Sequence, residues 1–129
     1  MHRSRIVAAD DSVAFLEQIV AVLGVEFDVV ATARDGVSAL DLIRQYMPDV
    51  VVLDIHMPGL SGIDLTRQLG KGPGNVPVVI CSVEKDPDVI EAAKCAGAFG
   101  YVIKSRVQRD LVPAVKLALQ LRGLVPSIH

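Results

Sequence analysis

The chain reads as an α/β protein with a three-layer, doubly wound sheet of five parallel strands and five helices. Three observations predict this. Short apolar runs alternate with amphipathic stretches five times. The runs are continuously apolar, as strands buried on both faces require, instead of alternating apolar and polar. Four of them end in polar side chains: Ala9 gives way to Asp10-Asp11, Leu53 to Asp54, Cys81 to Ser82 and Ile103 to Lys104. Doubly wound folds bind ligands beyond the carboxyl ends of their strands, so these five residues mark the expected site.

Each element has its own signal. The first strand covers about residues 5–9. A helix follows to about Leu23, with Leu16, Ile19, Val20 and Leu23 on one face, and Gly24 suits its end. Residues 27–32 form the second strand. Asp35 suits the cap of a helix that turns Val37, Leu40 and Ile43 inward. Pro48 closes that connection, and residues 49–53 form the third strand. Ser61 or Gly62 opens a short helix to about Leu69, and Lys71–Asn75 is the most loop-like segment. Residues 76–81 make the fourth strand. Asp86-Pro87 is an N-cap followed by a proline at the first helical position, and that helix runs to about Ala96 before Gly97. Residues 98–103 form the fifth strand, and residues 110–122 the last helix. A single domain over 1–122, then a tail or linker start over 123–129, is expected.

Composition narrows the function classes. The 129 residues are 51% hydrophobic and 22% charged, with a formal net charge of -2. That balance offers no basic stripe for nucleic acid and little attraction to an anionic membrane. The basic start, Met1 to Arg5, is followed by only a short apolar run before Asp10, too short for a signal-peptide core. No run approaches the ~18 apolar residues that suggest a membrane span. Cys81 and Cys95 form no paired motif and read as two small buried hydrophobes in a reducing cytoplasm.

The five polar residues make a chemical set. Three clustered carboxylates repel one another unless a cation binds or their pKa values rise. An oxygen-only donor set suits Mg²⁺ better than Zn²⁺ or copper, and Mg²⁺ usually shares its carboxylates with phosphate oxygens. Lys104 can neutralise a phosphoryl oxygen, and the Ser82 hydroxyl can donate to another. Asp54 stands alone at the end of the central run, with a Pro-Gly turn expected to present it to solvent, and suits a nucleophile toward phosphorus. Asp10 and Asp11 point in different directions, one toward a metal and the other toward a metal-bound water. The plainer readings are a capped helix for Asp10-Asp11, a turn for Ser82 and a solvated charge for Lys104.

The stretch Asp54-Ile55-His56-Met57-Pro58-Gly59-Leu60-Ser61-Gly62, with the acidic pair, Ser82 and Lys104 in order, resembles receiver domains of two-component response regulators. The resemblance runs over about residues 5–122 and is nearest to receivers that precede a helix-turn-helix output domain. It implies a flavodoxin-like receiver fold and phosphoryl transfer from a histidine kinase to Asp54. It implies Mg²⁺ held by Asp11, Asp54 and the His56 carbonyl, with Asp10 assisting. It implies phosphoryl contacts from Ser82 and Lys104, and a switch that couples Ser82 to the aromatic Tyr101. Ser82 stands where Thr is frequent. Ser105 stands where the family commonly has a proline joined by a cis bond. A non-proline cis bond costs about 3 kcal/mol, so either that bond or a re-formed loop follows Lys104.

His56 and Glu84 flank the set and are expected to modulate how long a phosphoryl group survives, with His56 shielding or orienting water. In the last helix Leu111, Val112, Val115, Leu117, Ala118, Leu119 and Leu121 cover well over half the circumference, more than one buried face needs. Contact with a partner or a second copy through the fourth helix, fifth strand and fifth helix is expected. The leading function is a cytoplasmic phosphorylation-controlled switch, not an enzyme beyond accepting and slowly losing phosphate, whose expected output is control of transcription. The alternatives are a stand-alone receiver that acts by docking or phosphorelay, an aspartyl-phosphate phosphatase and a flavin carrier. His56 stands where such a phosphatase usually has a second Asp, and Asp10-Asp11 would repel a flavin phosphate.

Overall fold

The computed structural model describes residues 3–70 and 75–124. Five strands, β1 (Arg5–Ala9), β2 (Asp28–Ala33), β3 (Val50–Leu53), β4 (Val78–Ser82) and β5 (Gly100–Ile103), form one parallel sheet in the order β2-β1-β3-β4-β5. The order reverses beside β1, so β1 and β3 are the strands whose ends open onto the switch point. Five helices alternate with them: α1 (Val13–Leu23), α2 (Gly36–Tyr46), α3 (Gly62–Leu69), α4 (Pro87–Cys95) and α5 (Val107–Leu124).

Alternation along the strands divides the core between the two faces of the sheet. Ile6, Ala8, Val50, Val52, Val79, Cys81 and Val102 pack with α1 and α5. Val7, Ala9, Val51, Leu53, Val78 and Ile80 pack with α2, α3 and α4. Both faces of β1 and β3 are therefore dry. All four residues of β3 are fully buried, which explains its unbroken Val-Val-Val-Leu sequence.

Local chemistry sets the helix starts. Ser12, Asp35 and Ser61 each accept a hydrogen bond from a backbone N–H three residues on, and Asp86 accepts one from Asp88 N–H. Gly97 ends the α4 region at a φ of 112°, a conformation that suits glycine. Met47 takes the left-handed position after α2, with a φ of 47°.

Several expectations shift. The strands β2, β3, β4 and β5 begin one or two residues later than their apolar runs suggest. The last helix begins at Val107 instead of Asp110, after a 3₁₀ turn over Lys104–Arg106, and it continues through Leu124. Pro113 lies inside it, so the Arg109 carbonyl lacks its usual intrahelical donor. Val20 is 39% exposed and Val37 56% exposed, instead of facing inward. Val20 lines an open groove between α1 and β2 with Val13 and Leu16, and Ala39 and Ile43 carry the buried face of α2. Cys81 is buried, and desolvation pushes its thiol up to about 12. Cys95, expected inside, is exposed. Of the loop expected over 71–75 and the tail expected over 123–129, residues 71–74 and 125–129 lie outside the described residues, and 123–124 belong to α5.

Two glycines bring α2 and α3 against the chain that follows β3. A Cβ on Gly62 would collide with the Asp54 carbonyl oxygen, and one on Gly36 with the Leu60 carbonyl oxygen. Backbone hydrogen bonds fix both approaches: Gly62 N–H donates to Ile55 O at 2.8 Å and Gly36 N–H to Pro58 O at 3.2 Å. Replacing Gly62 with Ala should lower stability by about 1–3 kcal/mol, the cost of overpacking a tight contact. Urea denaturation measures this, and an unchanged midpoint would show that α3 can shift without cost.

Candidate functional site

The site is built where β1, β3, β4 and β5 end side by side. Asp54 follows β3, and its N–H donates to Ala9 O across the sheet at 3.0 Å. Asp10 follows β1, and its N–H donates to Ala33 O at 3.1 Å. The backbone ladders thus continue one residue past the apolar runs and hold both carboxylates by their main chains. Ser82 is the last residue of β4, and Lys104 follows β5 directly.

The structure gathers the sequence-predicted residues. One carboxylate oxygen each from Asp10, Asp11 and Asp54 lies within 4.8 Å of the others. Asp11 is exposed, whereas Asp10 and Ser82 are fully buried. Asp54 is only 5% exposed, which corrects the expectation that its turn presents it to solvent. Its Oδ1 accepts from Ile55 N–H at 2.7 Å, which turns the carboxylate back over its own strand end.

Lys104 offsets part of the cluster's charge. Its Nζ lies 2.7 Å from Asp10 Oδ2 and 3.2 Å from Asp54 Oδ2. Burial, the largest influence on the ammonium, favours its neutral form. The Asp10 contact and the Asp54 charge together outweigh burial and raise its pKa. Desolvation likewise raises the Asp10 carboxyl, against the opposing pull of Lys104 and the Ser12 N–H. The Asp10 contact is ionic and off-line for a hydrogen bond, and Asp10 Oδ2 is a buried oxygen without a hydrogen bond. A buried carboxylate oxygen whose one polar neighbour is a single ammonium, among three carboxylates, fits a hard divalent cation.

The peptide bonds after Lys104 are trans, and the 3₁₀ turn through Ser105 and Arg106 replaces a sharper bend. Lys104 is held instead by side-chain contacts, including one that sequence reading missed. Its Nζ sits 4.4 Å from the centre of the Phe15 ring on α1. The available signal was compositional: the chain has three Phe, and one lies in the first turn of the helix that follows the acidic pair.

On the other side of Asp54, His56 is exposed and its Nε2 lies 3.5 Å from Glu84 Oε2, so the pair spans the gap between the β3–α3 and β4–α4 loops. Glu84 N–H donates to Ser82 Oγ at 3.2 Å, and the Tyr101 hydroxyl donates to Glu84 O at 2.8 Å. Burial raises the pKa of this phenol, so it stays a donor across the ordinary pH range. Ser82, Glu84 and Tyr101 form one connected unit.

Comparison with known proteins identifies the family and the fold. A family model described as "Response regulator receiver domain" matches residues 6–116. The chain is 35% identical over 121 residues to the transcriptional regulatory protein DegU of Brevibacillus brevis, covering 92% of this chain and 51% of that protein. It is 33% identical over 127 residues to the probable transcriptional regulatory protein NarL of Mycobacterium tuberculosis, covering 96% of this chain and 59% of that one. It therefore spans about half the length of these curated relatives. The solved signal receiver domain of the putative response regulator NarL from Mycobacterium tuberculosis superposes with a TM-score of 0.88 at 30% identity, covering 93% of this chain and 98% of that one. A DNA-binding response regulator of the LuxR family from Staphylococcus aureus gives 0.84 at 30% identity, covering 89% and 98%. The chain belongs to the response regulator receiver domain family.

Proposed function

We propose that the chain is a phosphorylation-controlled switch that takes a phosphoryl group from a histidine kinase onto Asp54. The observation that carries this is the Asp54 carboxylate at the sheet's switch point, flanked by Asp10 and Asp11 and in contact with Lys104. A carboxylate oxygen of Asp54 attacks phosphorus, the P–N bond to the donor imidazole breaks, and the imidazole leaves with a proton from solvent. Bringing an anionic phosphoryl group to an anionic carboxylate is costly, and the Lys104 ammonium reduces that cost. The Ser82 hydroxyl, at the end of the adjacent strand, would donate to a second phosphoryl oxygen. Asp11, Asp54 and the His56 carbonyl, with Asp10, would hold Mg²⁺, which supplies positive charge for the remaining oxygens.

The state would pass outward through the Ser82–Glu84–Tyr101 unit as a shift between two populations. The outer surface supports a docking role for the α4–β5–α5 face: Leu117 is 50% exposed, and Phe99 and Leu121 are also exposed. A sensor kinase, and a second copy on that face, are the partners in this reading. The output is control of transcription, as the names of its relatives suggest, from the cytoplasm. Beyond taking and losing phosphate the domain has no catalytic task of its own.

Incubation with acetyl phosphate and Mg²⁺ should add one phosphoryl group by intact mass, and Asp54→Asn should abolish the gain. A parental chain that gains no mass from any donor would refute the assignment. The His56–Glu84 pair spans the mouth of the site, so His56→Ala should open it to water and shorten the acyl-phosphate lifetime by about two- to fivefold, the scale of a factor worth less than one tenfold step. An unchanged lifetime dismisses a role for the side chain.

Asp10 gives a test in the metal-free chain. Its folded-state pKa is raised, so its contribution is most favourable below the ordinary 3.8 and is lost as pH climbs through the raised value. Asp10→Asn should therefore stabilise the chain in EDTA at neutral pH, because the desolvated carboxylate is gone while Lys104 keeps Asp54 as its partner. The gain should vanish below pH 3.8, and Mg²⁺ affinity should fall. A less stable variant at neutral pH would mean that pairing with Lys104 outweighs burial.

A further inference from the structure

We propose that Phe15 is a positioning residue for Lys104, holding the ammonium at Asp54 by a cation–π contact. The inference rests on the reading of Asp54 as phosphoacceptor and adds a residue to it.

Four contacts close a ring around Lys104. Asp10 Oδ1 accepts from Ser12 N–H at 2.9 Å. Ser12 Oγ caps α1 by accepting from Phe15 N–H at 3.2 Å. Phe15 places its ring 4.4 Å from Lys104 Nζ. Lys104 returns to Asp10 Oδ2 at 2.7 Å. The helix cap therefore sets the position of the ring relative to the carboxylate that the ammonium touches. Phe15 also packs against the core cluster under α1 and α5, which limits its movement.

The chemistry explains why a neutral anchor is needed. A Lys side chain has a flexible four-carbon stem and is a compact point charge, so its backbone position alone does not fix the ammonium. Its two carboxylate anchors are the groups that the reaction engages. A phosphoryl group on Asp54 neutralises one oxygen and adds new ones, and a cation at Asp10 competes for the other contact. The Phe15 ring keeps the same charge distribution throughout. Its face attracts the ammonium whether Asp54 is free or modified, and it excludes water from the α1 side. Lys104 can then turn from carboxylate to phosphoryl oxygen without leaving the site.

The test compares Phe15→Leu, which keeps the apolar bulk, with Phe15→Tyr, which keeps the aromatic face. Both are treated with acetyl phosphate and Mg²⁺, and the initial rate of phosphoryl gain is read by intact mass. Phe15→Leu should be slower by about three- to tenfold, the scale of one cation–π contact, and Phe15→Tyr should stay within about twofold of the parent. In a Lys104→Met background, Phe15→Leu should cause no further loss. The Lys104 ε-methylene proton resonances of the parent should lie upfield from ring current, remain so in Phe15→Tyr and return to ordinary values in Phe15→Leu. Equal rates for parent and Phe15→Leu overturn the proposal while leaving Asp54 as phosphoacceptor. A parent that gains no phosphoryl group overturns both. If Phe15→Leu does not fold, the parental spectrum decides, and unshifted Lys104 resonances overturn the proposal.

Discussion

The site depends on one ammonium placed between two buried carboxylates. Asp10 and Asp54 stand at the ends of adjacent strands in a dry sheet, where unpaired charge is expensive. Removing Lys104 would leave both carboxylates and the neighbouring Asp11 to repel one another. Removing the carboxylates would strand a largely buried cation. The fold tolerates the cluster because its charges compensate locally, with Nζ at 2.7 and 3.2 Å from the two oxygens. The compensation is incomplete, since three carboxylates face one ammonium. In the proposed reading, that residual negative charge would draw a second cation, and the cation would in turn favour a phosphoryl group.

The architecture provides this placement through the sheet. β1 and β3 are paired in register, Ala9 with Leu53, so the next residue on each strand brings Asp10 beside Asp54. β4 and β5 pair Ser82 with Ile103, which sets Lys104 one step beyond the hydroxyl. No long loop has to fold correctly to assemble the group. Parallel pairing and strand length do it, and the helices on either face keep the strands from slipping by filling both sides of the pleat.

Much of this was legible in the sequence because it rests on periods and termini. Continuous apolar runs require strands buried on both faces, and the polar residue that ends each run falls at the carboxyl edge. Cap residues such as Asp35 and Asp86 act within three residues of their partners, so they too can be read locally. What could not be read depends on distant packing. Val20 and Val37 have the helical spacing of core residues, but an open groove beside α1 and the small face of α2 leave them exposed. Asp54 precedes a Pro-Gly turn, yet its carboxylate folds back onto the Ile55 N–H and against Lys104 and is buried. Phe15 and Lys104 are far apart in sequence, and no local pattern announces a contact between them. The start of α5 was hidden because a 3₁₀ turn over Lys104–Arg106 leads the chain into the helix at Val107, three residues before the expected Asp110.

The two loops beside Asp54 are built with unequal stiffness. On the β3–α3 side, Gly36 and Gly62 lock main chain against main chain, with no side chain between to yield. On the β4–α4 side, Glu84 hangs from one phenol hydroxyl, one serine oxygen and one exposed ion pair. A push applied at Asp54 meets a wall in one direction and a hinge in the other. In the proposed switch the domain would therefore work as a mechanical rectifier: a change at the acidic end of the sheet would be delivered to the side that carries Tyr101 and α4, with the opposite side as its abutment.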